Sequence, residues 1–372
     1  ADSQWRAAQA ASREAAGAFA PKVSAGVYAN VGSVPMIVAG AAEPIYLSSL
    51  PENRASLNLS VMLPLYSGGR LQARLAQARA EEKAELASTA LALREVTREV
   101  RLAFQESLRA SALVETSRRQ VEEQEELLRL TGVKIQEGSL AAYLAKRVEA
   151  DLAASRQELN SARAEEEERR ADLVVALGCA FDSRPELLPS EPSVTLSGSL
   201  AEDVELSLRE RPDLAATRAL VEADDARLRA VLAEYSPQLG LYAMGEAIPG
   251  GGESGYQVGL ALSWPLFDGE RGPRRKRAEA LLSGRQFELS RLEQVVAGEV
   301  VRSRARVEAA LLNRQLARTE LTAAEEELRV ARLRLDLGRG VPLEVLEAVA
   351  IQARARANIA SVERDLGVAE AD

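Results

Sequence analysis

The stretch Leu59-Ser60-Val61-Met62-Leu63-Pro64-Leu65-Tyr66-Ser67-Gly68 returns later in the chain as Leu260-Ala261-Leu262-Ser263-Trp264-Pro265-Leu266-Phe267-Asp268-Gly269. In both copies, apolar residues at every second position lead up to a proline, then an apolar pair, one polar residue and a glycine follow. Behind each copy lies a long segment dominated by Ala, Leu, Glu and Arg. A strict period of two marks a strand with one buried face, and the composition behind it is that of a helix. Each copy reads as a strand that hands over to a helix, and the repetition makes the chain a duplication.

The duplication extends to both sides. Phe19-Ala20-Pro21-Lys22-Val23 lines up with Tyr235-Ser236-Pro237-Gln238-Leu239, and Arg129, Lys134 and Gly138 line up with Arg329, Arg334 and Gly338. Each half reads helix, strand, loop, strand, very long helix, break, helix. The first repeat is assigned to 1–182, a linker around the Pro-rich stretch Ser183 to Pro192 to 183–200, and the second repeat to 201–372. Strands are predicted at about 22–31, 55–64, 238–245 and 256–265. Long helices are predicted at about 65–136 and 266–337, and shorter ones at about 139–178 and 342–370.

Every predicted strand has one apolar face. Val23, Ala25, Val27, Ala29 and Val31 form the first, and Leu57, Leu59, Val61 and Leu63 the second. Leu239, Leu241 and Ala243 form the third, and Tyr256, Val258, Leu260, Leu262 and Trp264 the fourth. The other faces carry Ser, Asn, Gln and Gly, which suit a water-filled lumen. Each run is about nine or ten residues, enough for a tilted strand to cross a bilayer. Four strands cannot close a barrel, because the smallest membrane barrels use about eight. An unclosed sheet would expose backbone N–H and C=O groups to lipid at several kcal/mol each. The membrane reading therefore requires several copies, and three would supply about twelve strands.

The long helices exceed what a globular domain uses. From about Tyr66 to Gln136 there is no proline, and roughly 70 residues would span about 105 Å. Leu86, Leu93, Val100, Ser107, Val114, Val121, Leu128 and Ile135 recur every seventh position in the first. Ser303, Ala310, Ala317, Ala324 and Ala331 do so in the second. Such a period implies left-handed helix packing, with the small residues forming a close seam. Helices alone would equally suit a coiled-coil spacer; the strands argue against that.

Composition narrows the function. The net charge is −9 with both signs interspersed, so there is no basic footprint for nucleic acid. Histidine is absent and Cys179 is the single cysteine, which removes most metal sites, histidine-based catalysis and any internal disulfide. No cofactor and no enzymatic activity are expected. No window approaches the 18 or so continuous apolar residues of a spanning helix, which leaves a β-barrel open. The acidic runs Glu165 to Glu168 and Glu325 to Glu327 read as solvated helix faces. Pro249 to Gly255 reads as a flexible hairpin loop and Gly32 to Asn53 as an external loop with some packing of its own.

Several motifs carry a family resemblance. They are Arg211-Pro212-Asp213-Leu214 followed by Val221-Glu222-Ala223 and Tyr235-Ser236-Pro237-Gln238-Leu239, and Pro64-Leu65-Tyr66-Ser67-Gly68-Gly69-Arg70 with its counterpart at Pro265. To these add Gly338 before Leu343-Glu344-Val345-Leu346-Glu347-Ala348, and the ending Ala176-Leu177-Gly178. Together they resemble the TolC family of outer-membrane efflux proteins over nearly the whole chain. The resemblance implies an α+β membrane protein: a trimeric 12-stranded β-barrel, four strands per protomer, continued by a long α-helical, coiled-coil-like tunnel. It implies the outer membrane of a Gram-negative-type bacterium, with the helices in the periplasm. The implied role is the channel of a tripartite efflux or type I secretion system. Its implied partners are two further copies, a periplasmic adaptor (membrane fusion) protein, an inner-membrane efflux pump or secretion ATPase, and outer-membrane lipid. The alternative is a periplasmic coiled-coil scaffold or tether without channel activity.

The resemblance also assigns residues. Glu344 and Glu347 fall where the family has the acids of its periplasmic gate, usually Asp, and their spacing places both on one helix face. Ala142 and Leu144 stand where the first hairpin would carry acids, so the second hairpin alone would hold the gate. Gly138 and Gly338 read as helix C-caps and, with Arg339, as hairpin tips that would meet the adaptor. Arg334 and Arg339 are open to two readings, a latch onto neighbouring acids or surface charge. Tyr256 and Trp264, at opposite ends of one strand, are candidates for membrane-interface aromatics.

Overall fold

The computed structural model describes residues 2–31, 35–38, 45–49, 53–188, 196, 198–247 and 254–371. In chain order the elements are α1 (Asp2–Gly17), β1 (Lys22–Val31), β2 (Pro35–Val38), β3 (Ile45–Ser49), β4 (Asn53–Tyr66), α2 (Arg70–Gln136) and α3 (Tyr143–Ala176). There follow α4 (Leu200–Glu210), α5 (Pro212–Ala233), β5 (Gln238–Ala247), β6 (Gly255–Ser263), α6 (Arg271–Asp336) and α7 (Pro342–Ala371). Strands β2 and β3 pair with each other inside the 32–53 loop. Most of the loop expected at 249–255, and linker positions 189–195 and 197, lie outside the described residues.

The main sheet runs β1-β4-β5-β6, antiparallel throughout. Strand β4 of the first repeat pairs with β5 of the second, so the repeats join in the middle of the sheet. The register aligns the alternating residues into rows. Val23, Val61, Ala243 and Val258 form one row, and Ala25, Leu59, Gly245 and Tyr256 the next. The other face aligns Ser24, Ser60, Met244 and Gln257. There Ser24 Oγ and Ser60 Oγ lie 2.6 Å apart, and Gln257 Nε2 donates to Tyr242 Oη at 2.9 Å. Tyr242 crosses over Gly259, where an added Cβ would stand 2.8 Å from its hydroxyl. The rows give one apolar face and one hydrogen-bonding face.

The strand-to-helix change comes later than the prolines suggest. Strand β4 continues past Pro64 to Tyr66, with a register shift between them, and α2 starts only at Arg70. The turn is made by Gly68 and Gly69, with φ of 62° and 89°. At Gly68 a Cβ would also lie 2.1 Å from Ser236 Cβ, so both conformation and space demand glycine. Ser67 Oγ then accepts the Leu71 N–H at 3.3 Å, satisfying one of the helix's orphan donors.

Two compact units emerge, and each draws on both repeats: residues 1–90 with 209–293, and residues 91–208 with 294–372. In the first, the buried row Ala216, Ala219, Ala223, Ala226, Ala230 and Ala233 runs along α5, and Ala73, Ala80 and Ala84 are buried on α2. Spacings of three and four put the α5 alanines on one face. Ion pairs flank this packing, with Arg218 to Glu293 at 3.0 Å and Lys83 to Glu222 at 3.3 Å.

The Arg-Pro-Asp-Leu motif opens α5 in the same unit. Pro212 takes the first helical position, where its missing N–H costs nothing. Arg211 grips Asp213 with a fork, Nη2 to Oδ2 at 2.7 Å and Nε to Oδ1 at 3.1 Å. Asp213 Oδ1 also accepts the Leu214 N–H at 2.8 Å, and Leu214 is fully buried. Burial works to raise the Asp213 pKa; the Arg211 and Leu214 hydrogen bonds outweigh it and hold the carboxyl below its ordinary range.

In the second unit the small row of α6 is buried at Ala310, Ala317, Ala324 and Ala331. The seven-residue row of α2 behaves differently along its length. Ser107 and Val121 are buried, with Ser107 Oγ donating to the Arg169 carbonyl at 3.0 Å. Leu86 and Leu93, by contrast, are 55% and 69% exposed. Within one chain, among the described residues, nothing covers that part of the row.

Candidate functional site

The two helical reversals, α2 to α3 and α6 to α7, are built alike. At the first, the Gly138 N–H reaches the Ile135 carbonyl at 3.0 Å and the Ser139 N–H the Lys134 carbonyl at 2.9 Å. At the second, the Gly338 N–H reaches the Leu335 carbonyl at 3.1 Å and the Arg339 N–H the Arg334 carbonyl at 2.9 Å. This pair of bonds closes a helix through a left-handed residue. Gly138 and Gly338 supply it with φ of 75° and 69°, and each faces open space, so their need for glycine is conformational. Gly340 is tighter: its N–H also reaches the Arg334 carbonyl at 3.0 Å, and a Cβ would press on the Arg334 and Leu335 backbone.

Beneath the second reversal lies an apolar cluster of Leu127, Val148, Leu328, Leu335, Val345, Leu346 and Val349 with two alanines. Glu344 and Glu347 interleave with its α7 members and point the other way, exposed on the opposite helix face. The cluster fixes the helix rotation, and the rotation fixes the two carboxylates. Neither carboxylate forms a hydrogen bond or ion pair among the described residues. Leu337, Val341 and Leu343 are exposed around the same tip.

Arg339 is exposed, and neither it nor Arg334 makes an ion pair among the described residues. The link at this end comes from Lys134, whose Nζ donates to the Leu335 main-chain carbonyl and ties the last turn of α2 to the last turn of α6. Arg332 pairs with Glu123 at 3.0 Å nearby. The sequence singles out Lys134 only as a repeat position; a backbone acceptor leaves no mark in a sequence.

In the first unit, Tyr256 and Trp264 lie in phase with the apolar rows, 89% and 58% exposed. Trp264 is not alone, since Tyr66, Leu266 and Phe267 are also exposed at the strand-to-helix end, Phe267 at 93%. Large apolar side chains in this number at one end of a sheet mark an interaction surface. No helix is long and apolar enough to cross a membrane among the described residues.

The sequence matches the family profile described as outer membrane efflux protein over residues 1–179 and 204–372. Against proteins of curated function, the sequence finds no significant match. Among solved structures, the outer-membrane channel OprN superposes with a TM-score of 0.82 at 21% identity, over 99% of this chain and 84% of that one. The outer membrane protein VceC from Vibrio cholerae gives 0.77 at 18% identity, over 99% and 89%. The open state of the Neisseria gonorrhoeae MtrE outer membrane channel gives 0.74 at 17% identity, over 99% and 82%. These likenesses establish the fold.

Proposed function

This chain belongs to the outer membrane efflux protein family, and from that premise we propose that three copies close their sheets into one 12-stranded barrel through which cargo leaves the cell. The family places the chain in the outer membrane as a channel, which sets aside the scaffold or tether reading. The observation that carries the proposal is the sheet with its two open edges. The order β1-β4-β5-β6 is antiparallel throughout, so β6 of one copy and β1 of the next meet antiparallel and closure needs no exceptional pairing. Open edges in lipid are untenable, and about twelve strands fall within the even-numbered range of such barrels. The apolar rows then face lipid, and the Ser, Asn, Gln and Tyr242 rows face the channel. The exposed part of the α2 row, Leu86 and Leu93, is available to neighbouring copies.

The helices extend into the periplasm in this reading. The reversals at Gly138, Gly338 and Arg339, with their exposed apolar rim, meet a periplasmic adaptor (membrane fusion) protein. An inner-membrane efflux pump or secretion ATPase delivers the cargo. Glu344 and Glu347 of three copies form a ring of carboxylates at the narrow end, which attracts cations.

Sizing after detergent extraction tests the assembly. The expected species is a trimer of the 40.0 kDa chain that conducts in planar bilayers; a monomer soluble in plain buffer would defeat the proposal. For the gate, the double variant Glu344→Gln/Glu347→Gln should lose cation selectivity and divalent block. Unchanged selectivity and block would remove both residues from that role.

A further inference from the structure

We propose that the segment Arg271–Arg277 at the start of α6 binds the anionic headgroups of phospholipids in the leaflet next to the helices, an inference that rests on the outer-membrane reading above. Five of these seven residues are cationic, Arg271, Arg274, Arg275, Lys276 and Arg277, in a chain of net charge −9. All five are exposed. Arg274 is held by Glu234, Asp268 and Glu270, and Arg275 pairs with Glu279 at 2.7 Å. Arg271 lies over the Tyr235 ring, 4.1 Å from its centroid. Lys276 and Arg277 form no ion pair among the described residues. The fold does not require this cluster, because the first repeat has Ala73, Leu75 and Ala76 where the second has Arg274, Lys276 and Arg277.

Position supplies the partner. The apolar face of β6 ends at Trp264, the exposed Leu266 and Phe267 follow, and the cations come next on α6. At 1.5 Å per residue, Lys276 and Arg277 lie within about 10 Å of the helix start, comparable to the screening length of about 8 Å at physiological salt. Apolar strand, aromatic collar, then unpaired cations is the order of hydrocarbon, interface and headgroup met on leaving a bilayer. The long stems of Lys and Arg can lie along the apolar surface while their charged ends reach phosphate. The surface thus continues the lipid-facing sheet, and its charge selects anionic over zwitterionic lipid.

Trp264 is a built-in reporter, since the only other tryptophan is Trp5. The full chain carrying Trp5→Phe is reconstituted into phosphatidylcholine vesicles containing brominated phosphatidylglycerol or brominated phosphatidylcholine, and quenching of Trp264 is compared. The expected result is a preference for the anionic lipid, with about a fivefold loss per cation removed. The preference should fall away in about 0.5 M salt and in Lys276→Gln/Arg277→Gln, with conductance as the check that the channel still inserts. Equal quenching by the two lipids in the parent protein, or an intact preference in the double variant, overturns the proposal. So does a double variant that keeps the lipid preference and shifts the reversal potential, because the cations would then line the channel. Absence of both quenching and conductance would instead overturn the outer-membrane reading, and the inference with it.

Discussion

Asp213 shows how a motif residue becomes a structural one. Its carboxyl is held below the ordinary range by Arg211 and the Leu214 N–H, against burial. A depressed folded pKa contributes stability that is fully present above the unfolded value of about 3.9 and is lost as pH falls through the folded value. Acid unfolding of the wild type should therefore include a component below about pH 4 that Asp213→Asn lacks. At neutral pH the same variant should be less stable by about 1.5–3 kcal/mol, the range for hydrogen bonds to a charged group; denaturant titration at both pH values measures this. Identical acid limbs for the two proteins would refute it. Glu344 and Glu347 were equally readable at this scale, since their motif and spacing already put them on one helix face. That neither has a side-chain partner among the described residues was not readable, because it depends on what the fold brings near them.

Lys134 belongs to the scale of elements. It joins the ends of two long helices from different repeats through a main-chain carbonyl. Lys134→Met keeps the stem and removes the donor. The expected outcome is faster hydrogen exchange at the Gly338 and Arg339 amides, with little change in the mid-helix amides of α6. Unaltered exchange at those two amides would show that the link does not hold the reversal. The sequence left Arg334 and Arg339 open between a latch and surface charge; neither makes an ion pair among the described residues, and the link between the helix ends comes from a lysine on the other helix. The helix starts differ for a related reason. Proline suggests an earlier transition, but the left-handed Gly68 and Gly69, and the close approach of Gly68 to Ser236, decided where the strand ended.

At the scale of the whole molecule, the two faces of the sheet carry the prediction. Leu260→Lys places a charge in the middle of the apolar face and should destabilise the membrane-embedded protein by about 2–4 kcal/mol. Gln257→Lys, on the hydrogen-bonding face of the same strand, should leave stability nearly unchanged and shift ion selectivity. Unfolding in lipid vesicles and reversal potentials read the two effects, and equal destabilisation by both variants would contradict the assignment of faces. The sequence by itself determined the duplication, the alternating strands, the long helices, the glycine reversals and the faces on which Glu344 and Glu347 lie. Each of these is written in residues a few positions apart, where periodicity and backbone preference act. Only the tertiary structure decided that β4 joins β5 across the repeats and that the α6 alanine row is covered while Leu86 and Leu93 are not. It alone placed Lys134 at the Leu335 carbonyl and left Lys276 and Arg277, among the described residues, without an ion pair beside an aromatic collar. Those outcomes depend on which distant segments meet, and contact between segments far apart in sequence leaves no local period to read.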